Sequence, residues 1–267
     1  VKRLEAVIFD WAGTTVDHGS LAPVRAVTEL FRRQGIPLND ADARIDMGIF
    51  KKDHIRRILA MPHVTAQWRE RNGRPPDGQD LEKLFTDFAP LQMEILEEFS
   101  QVIPGVVDVS ERLHRLGVKI GSTTGYTRPM LDILVSRAAA QGYKPELSLC
   151  PDDVGGGRPH PWMCLRIAIE FRLSSTSAAV KIGDTVSDIH EAHNAGMWAV
   201  GIAATGNEVG LNAPDLASLT EEERFKRIEL AHRALLAAGA HYVVDSVALC
   251  EPILDEIDDR LAAGERL

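Results

Sequence analysis

The run Ala6-Val7-Ile8-Phe9, closed by Asp10, constrains this chain more than any other stretch. An apolar run rich in β-branched and aromatic residues reads as a buried strand. It stops abruptly at an aspartate, and Trp11-Ala12-Gly13-Thr14-Thr15 turns the chain while exposing backbone N–H groups. In an open α/β sheet, ligands sit at the carboxyl ends of the strands, so Asp10 falls where chemistry can occur. A second run, Ala179-Val180-Lys181-Ile182-Gly183, ends in Asp184 in the same way. Taken singly, Asp10 is also a plain strand-to-turn residue, and Gly183-Asp184-Thr185-Val186-Ser187-Asp188 is also a capped helix start. The rest of the chain has to decide.

Between Ser20 and Phe99 the apolar spacing is helical throughout. Val24, Val27, Leu30 and Phe31 share a face, Gly35 stops that helix, and Asn39-Asp40 caps a short one to Arg44. Gly48 interrupts the pattern before a helix carrying Ile55, Ile58 and Leu59, and Met61-Pro62 ends it. A short helix covers about 64–71, and the loop 72–78 follows. Leu81, Leu84, Phe85 and Phe88 mark another helix, and Pro90 is expected to open a further one. From Pro104 onward strands and helices alternate. Strands are expected at Val118–Thr124, Leu147–Cys150, Ala179–Gly183, Trp198–Ile202 and Tyr242–Val244, with a loop over 203–221. The alternation predicts an α/β fold, a doubly wound parallel-sheet (Rossmann-like) core, with an inserted all-helical cap domain. The expected division is 1–18 and 100–267 for the core and 19–99 for the cap.

Charge excludes some functions. The formal net charge is −9 and no basic block stands out, so neither nucleic acid nor a membrane is an expected partner. Local cations and backbone dipoles still allow an anionic small molecule. Cys150, Cys164 and Cys250 are odd in number and widely spaced, which points to buried thiols in a reducing, cytoplasmic setting. No long apolar run or leader pattern is present.

The chemistry lies in four motifs. If the strands ending in Asp10 and Asp184 are neighbours, their carboxylates converge and suit Mg²⁺, a hard cation that prefers oxygen. Asp188, one helical turn on, supports them from behind. Asp10 with Gly13-Thr14, the hydroxyls Thr123-Thr124, the cation Arg158, and Gly183-Asp184 through Asp188 resemble, in order, the four motifs of the haloacid dehalogenase superfamily. The resemblance covers the whole chain and implies that Asp10 is a nucleophile on phosphorus, with Mg²⁺ held by Asp10, Asp184 and the Ala12 carbonyl.

Further residues narrow it. Asp10-Trp11-Ala12-Gly13-Thr14-Thr15-Val16-Asp17, Met47-Gly48 with Lys51 and His54, Gly121-Ser122-Thr123-Thr124-Gly125-Tyr126, Gly157-Arg158-Pro159 and Asn194-Ala195-Gly196-Met197-Trp198 resemble the phosphonatase family. Ester phosphatases of the superfamily carry an acid two residues after the nucleophile, and here that position is Ala12. Without it an ester phosphatase forfeits about 10²–10⁴-fold. Cleaving a P–C bond poses a different problem, because the leaving group is a carbanion. An imine on the neighbouring aldehyde gives those electrons a place to go.

The resemblance implies that Lys51 forms this Schiff base, that His54 or a water moves protons, and that the substrate is a small phosphonate. It further implies that Met47, Gly48, one of Thr123 and Thr124, and Arg158 bind it, and that the protein is a homodimer through the cap. A cap-bearing ester phosphatase or phosphomutase is the competing enzyme reading, and a non-catalytic phospho-ligand module is the competing binding reading.

Overall fold

Residues 3–267 are described in the structure, a computed structural model of the protein. Six strands form one sheet in the order β3-β2-β1-β4-β5-β6. They are β1 (Ala6–Phe9), β2 (Lys119–Thr123), β3 (Leu147–Leu149), β4 (Ala179–Gly183), β5 (Trp198–Ile202) and β6 (Tyr242–Val244). Every neighbouring pair is parallel. β1 therefore lies between β2 and β4, with Phe9 level with both Ser122 and Ile182. The ends of all three strands open on the same edge, where the strand order reverses and ligands bind in such sheets.

Side chains alternate across the strands and serve two cores. Val7, Phe9, Ile120, Val180 and Ile182 join one cluster with α6 (Val106–Arg115), α7 (Arg128–Ala140) and α12 (Glu251–Ala262). Ala6, Ile8 and Ala179 pack instead on Met163, Cys164, Ile167 and Phe171 of α8 (Trp162–Phe171). Ala199 meets α9 (Val186–Ala195) and α11 (Glu221–Ala237) on that same side. The sheet is thus doubly wound, and the three cysteines are free and buried.

Between β1 and α6 the chain is helical: α1 (Leu21–Arg33), α2 (Asp40–Arg44), α3 (Lys51–Leu59), α4 (Pro62–Asn72) and α5 (Gly78–Leu96). α1 and α3 pack on α5. Asn39 caps α2 through Asp42 N, and Asp77 with Asp80 forms a capping box on α5. Val24, Val27, Leu30 and Phe31 are all buried within the chain, so the apolar face that α1 displays in the sequence is already used.

Two expectations need correction. Pro90 does not open a new helix, since α5 runs unbroken through it. An internal proline costs about 3 kcal/mol. Here Leu81, Leu84, Phe88, Leu91 and Leu96 stay buried in one phase across the proline, which itself faces solvent. Packing of that stripe outweighs the lost hydrogen bond. The stretch 203–221 is also not wholly loop, because α10 (Ala213–Ser218) forms there, started by Asn212, whose side chain accepts from Asp215 N. Six residues with one buried side chain, Leu216, carry too little periodicity to announce a helix.

Candidate active site

The turn after β1 holds Asp10 in place by local bonds. The amides of Thr14, Thr15 and Val16 all donate to Trp11 O, and Thr15 Oγ1 donates to Asp10 O at 2.9 Å. Gly13 has φ +82°, and a Cβ there would lie 2.2 Å from Asp184 Oδ2. Only glycine allows both the left-handed turn and the approach of the second aspartate.

Asp10, Asp184 and Asp188 each offer an oxygen, and these lie within 4.8 Å of one another. Asp188 is fully engaged: it accepts from Lys181 Nζ at 2.7 Å and Thr185 Oγ1 at 2.6 Å, and pairs with Arg158 Nη1 at 3.1 Å. Those cations hold its carboxyl below the usual range despite burial. Asp184 differs. It accepts from Thr14 Oγ1 at 3.0 Å and Asn207 N at 2.8 Å, and no cation pairs with it among the described residues. Burial first, then the charges of Asp10 and Asp188, push its carboxyl far up. Asp10 is also raised, by burial against the opposing pull of Arg158. A donor set of oxygens alone, with one carboxylate left uncompensated, fits a hard divalent cation.

Arg158 is the organising cation. Nη2 donates to Asp10 Oδ1 at 2.6 Å and to Thr123 Oγ1 at 2.8 Å, while Nε donates to Glu191 Oε2 at 2.8 Å. Thr123 Oγ1 also donates to Glu191 at 3.0 Å, so this hydroxyl is committed to the charge network. Thr124 lines the cavity instead. Lys181 and Glu191 were missed from the sequence. A lysine inside a strand buried on both faces was a signal for the first. Glu191 stands three residues after Asp188 on one face of α9, which was a signal for the second.

The other wall comes from the helical layer. Lys51, first residue of α3, is 3% exposed and lines the same small cavity as Asp10, Ala12, Met47, Gly48, Thr124 and Arg158. Its Nζ lies 3.5 Å from Met47 Sδ and 5.4 Å from the centre of the Tyr126 ring. Burial lowers its pKa to about 8, with Asp10 opposing. Gly48 has φ +89°, and a Cβ there would reach within 2.4 Å of Thr185 Oγ1. His54 stands one turn beyond Lys51, fully buried, with its ring against the backbone carbonyls of Ala43 and Ile45. Burial and the Lys51 charge hold it neutral, with a pKa of about 3. It does not line the cavity. Ser20, Tyr126 and Thr185 do, and the sequence had not singled them out.

A buried aspartate paired to a cation, a second aspartate with no cation beside it among the described residues and a layer of helices over both describe a class of hydrolase fold. Residues 4–196 match the family described as haloacid dehalogenase-like hydrolases, and the chain belongs to that family of hydrolases. Within it the likeness is specific. Phosphonoacetaldehyde hydrolase of Syntrophobacter fumaroxidans is 41% identical over 98% of this chain and 95% of its own length. The enzyme of the same name from Nitratidesulfovibrio vulgaris is 42% identical over 98% and 94%. The crystal structure of a phosphonoacetaldehyde hydrolase-like protein from Oleispira antarctica superposes with a TM-score of 0.97 at 41% identity, covering 99% of this chain and 96% of that one. Among the described residues no helix is long and apolar enough to cross a membrane.

Proposed function

We propose that this protein hydrolyses the P–C bond of phosphonoacetaldehyde to acetaldehyde and phosphate. One observation carries the reading: Ala12 and Lys51 share a cavity with Asp10. A methyl group stands where ester hydrolysis needs an acid, and an amine stands where a carbanion needs an electron sink. The names of the relatives point the same way.

The phosphonate lies against Asp10 and the Thr124 hydroxyl, its charge balanced by Arg158. Lys51 attacks the aldehyde carbon as the neutral amine, water leaves, and a protonated imine forms. A water moves the protons, since His54 lies one turn behind Lys51 and outside the cavity wall. Asp10 then attacks phosphorus in line, and the P–C electron pair passes into the imine to give an enamine. Water hydrolyses the aspartyl phosphate, the enamine carbon takes a proton, and imine hydrolysis releases acetaldehyde and frees Lys51. Asp10, Asp184 and the Ala12 carbonyl, with Asp188 behind them, would hold Mg²⁺, which would supply charge neutralisation at the phosphoryl group.

Residues 19–99 act as a cap on a core made of 1–18 and 100–267. The cavity of about 20 Å³ has room for about one water, so the cap lifts to admit substrate. Buried free thiols suit a cytoplasmic enzyme. On the family resemblance a second copy docks through the cap, and light scattering that reads only 29.3 kDa would overturn that.

The test compares phosphate release from phosphonoacetaldehyde and from p-nitrophenyl phosphate, with and without Mg²⁺. The expected result is Mg²⁺-dependent release from the phosphonate and little from the ester. Release from the ester alone replaces this reading with a phosphatase, and release from neither replaces it with a binding module.

A further inference from the structure

Arg44, the last residue of α2, reaches across the seam between the helical layer and the sheet. Its Nη1 donates to Gly19 O and to Asn207 Oδ1, each at 3.0 Å, and Nη2 donates to Gly210 O at 3.0 Å. Ser20 O and Asn207 O lie at the longer distances of 3.5 and 3.4 Å from Nη1. A planar guanidinium with fixed donor directions can serve three such acceptors at once, and a single ammonium on a flexible stem cannot match that fork.

The surroundings are shaped to this side chain. Gly210 has φ +68°, and a Cβ there would come within 2.7 Å of the Arg44 guanidinium carbon. Gly19 has φ +90°, and a Cβ there would lie 2.3 Å from Leu211 O. The segment leaving β1 and the loop 207–211 are therefore pressed together with the guanidinium between them.

Two connections run from Arg44 into the site. Asn207, whose side chain it grips, donates its backbone N–H to Asp184 Oδ2 at 2.8 Å. Met47 and Gly48 follow three and four residues after Arg44. They are seated on the sheet edge, where Ser187 Oγ donates to Met47 O at 3.2 Å and Thr185 abuts Gly48. We infer that Arg44 is a positioning residue that couples seating of the helical layer to the orientation of Asp184, through Asn207. This rests on the reading of Asp184 as a metal ligand and of the helices as a cap.

The test uses Arg44→Gln and Arg44→Lys in the full-length protein, with three measurements. Modification of Lys51 by trinitrobenzenesulfonate, located by mass spectrometry, reports how well the roof is seated. Calorimetric titration with Mg²⁺ alone reports Asp184. Phosphate release reports turnover. Arg44→Gln is expected to speed Lys51 modification and to weaken Mg²⁺ binding, each by about tenfold, since charged hydrogen bonds of this kind are worth about that factor or more. Arg44→Lys should fall between the two, and a few millimolar guanidinium should restore part of the loss in Arg44→Gln.

Unchanged Lys51 modification and Mg²⁺ affinity in both variants would overturn the proposal, as would an Arg44→Lys protein equal to wild type. If Arg44→Gln does not fold, Arg44→Lys alone decides by the same criteria. Absence of phosphonoacetaldehyde turnover in wild type would remove the functional reading, while the labelling and Mg²⁺ titrations would still test Arg44.

Discussion

Lys181 in the sheet and Lys51 in the helical roof are both buried, at 1% and 3% exposure, yet their surroundings are opposite. Lys181 donates to Asp188 Oδ1 at 2.7 Å and lies 3.8 Å from Glu191, inside a network that also holds Arg158. Lys51 has a thioether and an aromatic face for neighbours and, among the described residues, no carboxylate partner. Burial is common to both, so burial alone does not make an amine reactive. The partner decides: a paired ammonium is fixed as a charge, and an unpaired one is pushed toward the neutral amine that can attack a carbonyl.

Lysine-to-methionine substitution at each position separates the two roles. Lys51→Met should abolish release of phosphate from phosphonoacetaldehyde, and Lys51→Arg should lose nearly all of it, because a guanidinium keeps the charge but forms no imine. Borohydride added with substrate should trap an adduct on Lys51 in wild type alone. Near-normal turnover by Lys51→Arg would end the electron-sink mechanism.

On stability the two lysines should move in opposite directions. Lys181→Met strands Asp188 and Glu191 beside Arg158 and should cost about 3–5 kcal/mol. Lys51→Met should raise stability at pH 7 by about 2–3 kcal/mol. The sign follows from a folded pKa of about 8 that lies below the unfolded value. The unfolded chain then binds this proton more tightly, so the penalty is full below about pH 8 and fades as pH rises toward the unfolded pKa. Urea unfolding at pH 7 and pH 9 checks both. Wild type should gain stability from Lys51 across that interval, and Lys51→Met should lack that gain. Destabilisation by both substitutions would erase the distinction.

A smaller effect is expected in the pH profile. With a pKa of about 8, roughly one Lys51 in ten is neutral at pH 7, against fewer than one in a thousand for an unperturbed lysine. kcat/KM should therefore climb about tenfold per pH unit and level near pH 8. A profile still rising at pH 10 would show that Lys51 is not desolvated in the free enzyme.

Much of the site was legible from the chain itself. Asp10 and Asp184 end apolar runs, and a strand end in a parallel sheet is where a polar side chain reaches ligand. Ala12 stood out because a reaction class needs an acid there. α1 and α3 announced themselves by spacing, since their apolar residues recur regularly along one face. Pro90 misled because local propensity opposes helix there, while the stripe from Leu81 to Leu96 is held by α1 and α3.

What the sequence determined alone was the alternation of strands and helices, the aspartates at strand ends, and the side chains available for chemistry. These depend on local periodicity and on residue type. The three-dimensional packing put β1 between β2 and β4, which brings Asp10, Thr123 and Asp184 together across more than a hundred residues of chain. It alone separated Thr124, which faces the cavity, from Thr123, which is bound to Glu191 and Arg158. It alone left Lys51 without a carboxylate partner among the described residues while giving Lys181 two. Those outcomes depend on which groups share a buried volume and which charges offset one another there, and no local pattern in the chain encodes that.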